Sequence, residues 1–156
     1  MRVVLQRAAS ARVTVSGQQV AAIGRGLVAL VGVAEDDTAD DAAQLARKTV
    51  RLRLFADGDR PFDLALAKAG GELLVVSQFT LMGDVRRGNR PSWASAAAPA
   101  QAAPLVDAYA DAAAEHGVVV RRGRFGAHMA LTLENDGPVT LILDSATPAS
   151  PRRGAP

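Results

Sequence analysis

Apolar and polar positions alternate from the first residues. "RVVLQR" (2–7) and "ARVTVSG" (11–17) have period two, with Val13 and Val15 on one face and Arg12, Thr14 and Ser16 on the other. "QQVAAIG" (18–24) follows Gly17, which predicts a hairpin, and in the apolar run "GLVALVGVA" (26–34) a buried strand over 27–33 follows a turn bracketed by Gly24 and Gly26. Four strands in the first 33 residues predict a curved, mostly antiparallel sheet. The period then changes. Thr38 precedes Asp41 by three, a capping-box spacing, and Ala42, Leu45, Ala46 and Val50 continue at helical intervals.

Beyond that helix, "FADGDRPFD" (55–63) reads as loop with a turn at Asp57-Gly58. "GGELLVVSQF" (70–79) reads as turn and strand, and "GDVRRGNRPSW" (83–93) as a long polar loop. Pro104 suits a first helical turn; Leu105, Val106, Tyr109, Ala112 and Ala113 follow at helical spacing, and Gly117 is its stop. "GVVVRRG" (117–123), "AHMALTLEN" (127–135) and "PVTLILD" (138–144) are the closing strands. The pattern predicts one mixed α/β domain over residues 1–144, with a barrel-like, largely antiparallel sheet and two main helices. The Pro/Ala-rich "SATPASPRRGAP" (145–156) is expected to be a disordered tail.

Composition narrows the chemistry. With 156 residues and 49% hydrophobic positions the chain is long enough for a core, and no apolar run reaches the ~18 residues of a membrane span. The short, interrupted apolar start does not resemble a signal peptide, so the expected setting is the cytoplasm, without a membrane partner. No cysteine is present, which removes thiolate nucleophiles and cysteine-ligated zinc. Only His116 and His128 are available, no metal-ligand spacing occurs, and neither metal nor cofactor is expected. The net charge of +2 is compatible with an RNA partner and equally with a solvated basic surface.

Two stretches carry candidate chemistry. In "LLVVSQFTLMGD" (73–84) a core strand runs directly into Ser77, Gln78 and Thr80, interrupted only by Phe79. In "NDGPVT" (135–140) Gly137-Pro138 interrupts an otherwise continuous strand. On these residues alone two readings of the second stretch stand. One is an ordinary hairpin turn at Asp136-Gly137; the other is a kink that frees backbone carbonyls for a ligand.

Together, "VVSQFTL" and "NDGPVT" resemble the signature motifs of the D-aminoacyl-tRNA deacylase family. The flanking blocks "VVLQRAASARVTV", "IGRGLVALVGV", "RRGNRPSW" and "GRFGAHMALTLENDGPVT" extend the resemblance over residues 1–144. It implies hydrolysis of the ester between tRNA and a D-amino acid, or glycine mischarged on tRNA-Ala. It also implies a homodimer with active sites at the subunit interface, tRNA rather than DNA as partner, and a cis Gly137-Pro138 bond presented to the other subunit's site. Carried over, Ser77, Gln78, Phe79 and Thr80 hold the terminal adenosine and its ester. Phe125 lies near the adenine, and Gly137 and Pro138 wall off L-amino acids. "PFDLALAKAGGE" keeps only Leu64 of the family's Met-Asn-Leu-Ser-like run, and Arg121-Arg122 replace a small polar residue, so the outer pocket departs from the pattern.

The chemistry suits what the chain lacks. An aminoacyl ester is reactive, so positioning and oxyanion stabilisation are the main requirements. Thr80 as covalent nucleophile needs a base, and neither histidine has triad spacing; Gln78 and Thr80 are better read as positioning groups. Arg7 reads as a brace of the Gly-Pro element or as an ordinary surface arginine. Arg86, Arg87, Arg90 and Arg121, Arg122, Arg124 read as phosphate contacts or as solvated faces. Trp93 and Tyr109 read as packing residues, and His116 and His128 as structural or exposed. Two other functions compete: a non-catalytic RNA-binding module, and a small-ester hydrolase with a threonine nucleophile.

Overall fold

The computed structural model describes residues 1–146 of the chain. Its strands are β1 (Arg2–Val15), β2 (Gln18–Ile23), β3 (Gly26–Gly32), β4 (Arg53–Asp57), β5 (Arg60–Ala65), β6 (Glu72–Ser77), β7 (Val120–Arg122) and β8 (Met129–Asp144). Helix α1 (Ala39–Arg51) follows β3, and α2 (Pro99–Ala114) precedes β7. The main sheet has the order β2-β1-β3-β6-β7, with β8 also paired to β1; β4 and β5 form a separate two-stranded sheet. The β3–β6 and β6–β7 pairs are parallel and the rest antiparallel, so the expected mixed α/β, barrel-like and largely antiparallel architecture with two helices stands.

The run "GLVALVG" is apolar throughout because β3 is covered on both faces. Leu27, Ala29 and Val31 face the cluster under the helices, with Leu45, Phe55, Val106 and Tyr109. Val28 faces a second cluster inside the curl of the sheet, with Val13, Ile23, Leu74 and Val76. Adjacent Leu73 and Leu74 of β6 divide in the same way.

The α1 cap is as the spacing predicts: Thr38 and Asp41 exchange hydrogen bonds in a capping box. The β1–β2 hairpin also stands, with positive φ at Ser16 and Gly17 as a two-residue turn of this hand requires.

Five details differ. Residues 2–7 and 11–17 are not separate strands: Ala8, Ala9 and Ser10 contain no breaker, and β1 crosses them, with its register on β8 shifting there. Residues 55–63 are not a loop but part of the β4–β5 hairpin, with Gly58 in positive φ at its tip. Helix α2 starts at Pro99, which takes the first-turn position expected of Pro104. Pro104 lies inside the helix on its exposed side, and the buried stripe Ala102, Val106, Tyr109, Ala110 and Ala113 holds the helix together across it. The strand expected over 70–79 ends at Ser77, and a 3-10 turn covers Phe79–Met82. Lastly, residues 129–144 form one element whose two halves both pair antiparallel with β1, which excludes a hairpin at Asp136-Gly137.

Ser145, expected in the tail, accepts a hydrogen bond from the Met1 ammonium and donates one to Asp37. The remainder of the expected tail, 147–156, lies outside the described residues. Among the described residues no helix is long and apolar enough to cross a membrane.

Candidate active site

Parallel strands β3 and β6 end side by side, with Val31 level with Ser77. In open parallel sheets this carboxyl end is where ligands gather, because the chain must turn away and leaves a crevice. Here the crevice is a cavity of about 740 Å³, lined by residues that include Ser77, Gln78, Phe79, Trp93, Phe125 and His128. The chain folds tightly at its floor. The Gln78 amide donates to Val31 O at 2.7 Å, and a side chain on Gly32 would stand 2.9 Å from Gln78 O, so only glycine lets the two segments meet.

Four of the expected site residues therefore converge: Ser77, Gln78, Phe79 and Phe125. Thr80 is next to the cavity, where its Oγ1 accepts a hydrogen bond from Gln78 Nε2. An amide is no base, and among the described residues no histidine hydrogen-bonds Thr80. The two side chains thus hold each other at the edge of the cavity.

Trp93, read from sequence as packing, instead stands edge-on to Phe79 with ring centroids 5.3 Å apart, and both residues are partly exposed. Gly83 makes this possible, since a Cβ there would sit 2.5 Å from the indole. The loop between them is closed by the paired backbones of Asp84 and Ser92. His128, read as structural or exposed, is exposed but lines the same cavity, and among the described residues it is the only ionisable side chain that does so. Sequence gave these two residues little signal: the tryptophan stood in a polar loop and the histidine two residues before a run of aliphatics.

Gly137 and Pro138 do not line this cavity. Gln6 pairs with Thr140 and Ala8 with Asn135, so residues 136–139 bulge from β8 opposite the single residue Arg7. The Gly137-Pro138 peptide is cis and Gly137 has φ +121°. Asn135 Nδ2 closes the base of the bulge, donating to Arg7 O and Val139 O at 3.1 Å each. Thr140 accepts from Gln6 across the strands at 3.3 Å. Asn135 and Thr140, unassigned in the sequence reading, are thus the clasp of the bulge. Arg7 is its brace: Nε donates to Asp136 O at 3.2 Å, and Nη1 to Leu54 O at 2.6 Å.

The bulge sits midway along β1 and β8, and none of residues 136–139 lines the cavity. Ser77 is level with Val31 and hence with Val3, whereas the bulge is level with Arg7. Four residues of strand separate those levels by about 13 Å.

The basic residues divide. Arg86 is tied to Asp84, whose carboxyl is lowered to about 2 by hydrogen bonds from the Arg86 side chain and backbone. Arg122 is held by Asp107 and Asp111 of α2, and Arg121 approaches Glu72 at 3.9 Å. Arg87, Arg90 and Arg124 are exposed. His116 follows the end of α2, away from the cavity lining. Among the described residues no cluster of metal-ligating side chains occurs.

With this geometry, similarity to known proteins becomes informative. The profile of the family described as D-Tyr-tRNA(Tyr) deacylase matches residues 4–144. A D-aminoacyl-tRNA deacylase of Chloroflexus aurantiacus is 53% identical over 98% of this chain and 96% of its own. That of Thermus aquaticus is 52% identical over 94% of this chain and 96% of its own. The chain belongs to the D-aminoacyl-tRNA deacylase family. The expected family and the expected enzyme class are those of these relatives. Among solved structures, one described as c-Myc DNA unwinding element binding protein matches with TM-score 0.86 and 36% identity, over 96% of this chain and all of its own. A probable eukaryotic D-amino acid tRNA deacylase matches with TM-score 0.80 at 19% identity over 91% of this chain and 97% of its own, a likeness of fold.

Proposed function

We propose that this protein hydrolyses the ester joining a D-amino acid to the 3′ end of tRNA, and that each active site needs two copies of the chain. The observation that carries this reading is the separation just described. Ser77, Gln78, Phe79 and Phe125 line a cavity, while the braced Gly137-Pro138 bulge is exposed midway along β8 and does not line it. In a homodimer related by a two-fold axis, the bulge of one copy reaches the cavity of the other. The outer edge of β8, unpaired among the described residues, with Ile142 exposed on that strand, is available for such pairing.

The cavity takes the terminal adenosine, its base against the rings of Phe79, Trp93 and Phe125. Ser77, Gln78 and Thr80 hold the ester. Water adds to the carbonyl carbon, backbone N–H groups steady the oxyanion, and the C–O bond to the ribose breaks. The ribose oxygen takes the proton, leaving free tRNA and free D-amino acid. The bulge carbonyls accept the substrate ammonium. With ester and amine both fixed, an L side chain points into the Gly137-Pro138 wall and a D side chain points away. Glycine has no side chain to exclude, so glycyl esters are admitted. The place of work is the cytoplasm, where charged tRNA is made.

Similarity to the DNA unwinding element binding protein favours a second reading, nucleic-acid binding without turnover. One experiment separates them: hydrolysis of D-tyrosyl-tRNA and L-tyrosyl-tRNA by the purified protein, with its mass in solution measured alongside. Loss of the D-ester alone, by a dimer, supports the proposal. Binding of tRNA with neither ester cleaved selects the second reading. Cleavage of short free esters as fast as aminoacyl-tRNA points to the small-ester hydrolase.

A further inference from the structure

The β4–β5 hairpin is a separate sheet, yet it touches the bulge twice through one residue. Leu54 of β4 accepts a hydrogen bond from Arg7 Nη1 at 2.6 Å. Phe62 of β5 lays its ring near the same guanidinium, with Arg7 Cζ 5.8 Å from the centroid. Arg7 is only 13% exposed, while Phe62 is 55% exposed, an unusual position for a large apolar ring. The same guanidinium also meets the bulge. Its Nε lies 3.0 Å from Asp136 Oδ2, and a Cβ on Gly137 would stand 2.7 Å from Nη2.

From this arrangement we infer that Phe62 is a specificity-determining positioning residue. It keeps the guanidinium of Arg7 in one plane against Gly137, and so fixes the wall that separates D from L substrates. The inference rests on the deacylase reading above. A centroid distance near the 6 Å limit of cation–π contact gives a modest direct attraction. The ring acts mainly by covering one face of the guanidinium, which keeps water from competing for the Asp136 and Leu54 oxygens. The hairpin carries its own ion pairs: Arg53 binds Asp63, and Arg60 reaches both Asp57 and Asp63. Phe62 is thus carried on a paired strand rather than on a loop.

The test compares the full-length protein with Phe62→Ala and Phe62→Tyr. Hydrolysis of D-tyrosyl-, L-tyrosyl- and glycyl-tRNA is measured, together with amide hydrogen exchange over residues 135–140. In Phe62→Ala, kcat on the D-ester is expected to stay within about twofold. The L-to-D rate ratio rises about fivefold, the factor that ~1 kcal/mol represents. Exchange in 135–140 accelerates, and Phe62→Tyr, which keeps the ring, restores both. An unchanged ratio with unchanged exchange overturns the inference, as does an equal loss on all three esters, which marks a general structural role. Faster exchange with an unchanged ratio overturns the specificity role. If the unaltered protein cleaves neither tyrosyl ester, the deacylase reading itself fails, and the specificity role with it.

Discussion

Arg7 grips Asp136 twice, through the backbone oxygen at 3.2 Å and through the carboxylate at 3.0 Å, both from Nε. Its remaining arm crosses to Leu54 O, so one side chain ties together β1, the bulge of β8 and the β4–β5 hairpin. Lysine carries the charge but lacks the planar fork, and it cannot make these contacts together. Arg7→Lys is therefore expected to cost about 1.5–3 kcal/mol of stability, the range for hydrogen bonds to charged groups. It is also expected to raise L-ester hydrolysis relative to D-ester hydrolysis. Denaturant unfolding and single-turnover deacylation check the two effects separately.

Thr80 and Gln78 hydrogen-bond each other at the mouth of the 3-10 turn. If they position the ester, Thr80→Ala removes one hydrogen bond and slows hydrolysis about tenfold. Loss of a true nucleophile costs on the order of 10⁶ in kcat. A pre-steady-state measurement on the variant decides: a drop beyond about 10⁴ assigns Thr80 a covalent role, and about tenfold assigns it to positioning.

Local rules in the sequence reach as far as local physics does. The α1 capping box, the turn after β1 and the two-sided burial of β3 and β6 follow from neighbours within a few residues. The β4–β5 hairpin was missed because its strands are largely exposed and their apolar alternation is weak. Pro104 misled because a proline marks a helix start only when no better one lies upstream, and Pro99 does. At the site, Ser77, Gln78, Phe79 and Phe125 were legible through motif and resemblance. Trp93 and His128 were not, since only the meeting of a loop with the start of β8 brings them to the cavity. The Gly137-Pro138 motif was visible, but that it stands apart from the Ser77 cavity depends on strand register, which no residue spacing encodes.

The cap of α1 gives an acid-side prediction. Asp41 has its carboxyl held below the usual range, first by the Thr38 side-chain hydrogen bond and then by the Thr38 backbone N–H. A lowered folded value means the contribution is present above the unfolded pKa of about 3.9 and is lost as pH falls through the folded value. Thr38→Ala is expected to cost ~1 kcal/mol at neutral pH. The gap between variant and parent should narrow below about pH 4. Unfolding curves at pH 7 and pH 3 test this; a gap that stays constant shows that Asp41 does not take part.

The buried pair between the helices gives the opposite sign. Tyr109 is fully buried on α2, and its hydroxyl lies 2.7 Å from Thr49 Oγ1 on α1, itself fully buried. Burial pushes the phenol pKa up, opposed in part by the Thr49 hydrogen bond. A raised folded value means this stability is complete below the unfolded pKa of about 10 and is lost as pH rises beyond it. Tyr109→Phe leaves the Thr49 hydroxyl buried without this partner and is expected to cost about 1–3 kcal/mol. Thr49→Val does the same to the phenol. Removing both hydroxyls leaves an apolar contact of similar shape, so the double variant should lose less than the two single losses combined. It should also lose the alkaline fall in stability expected of the parent above about pH 10. Additive single losses, or an unchanged alkaline slope in the double variant, would show that the two hydroxyls act independently and that other groups govern the high-pH limit.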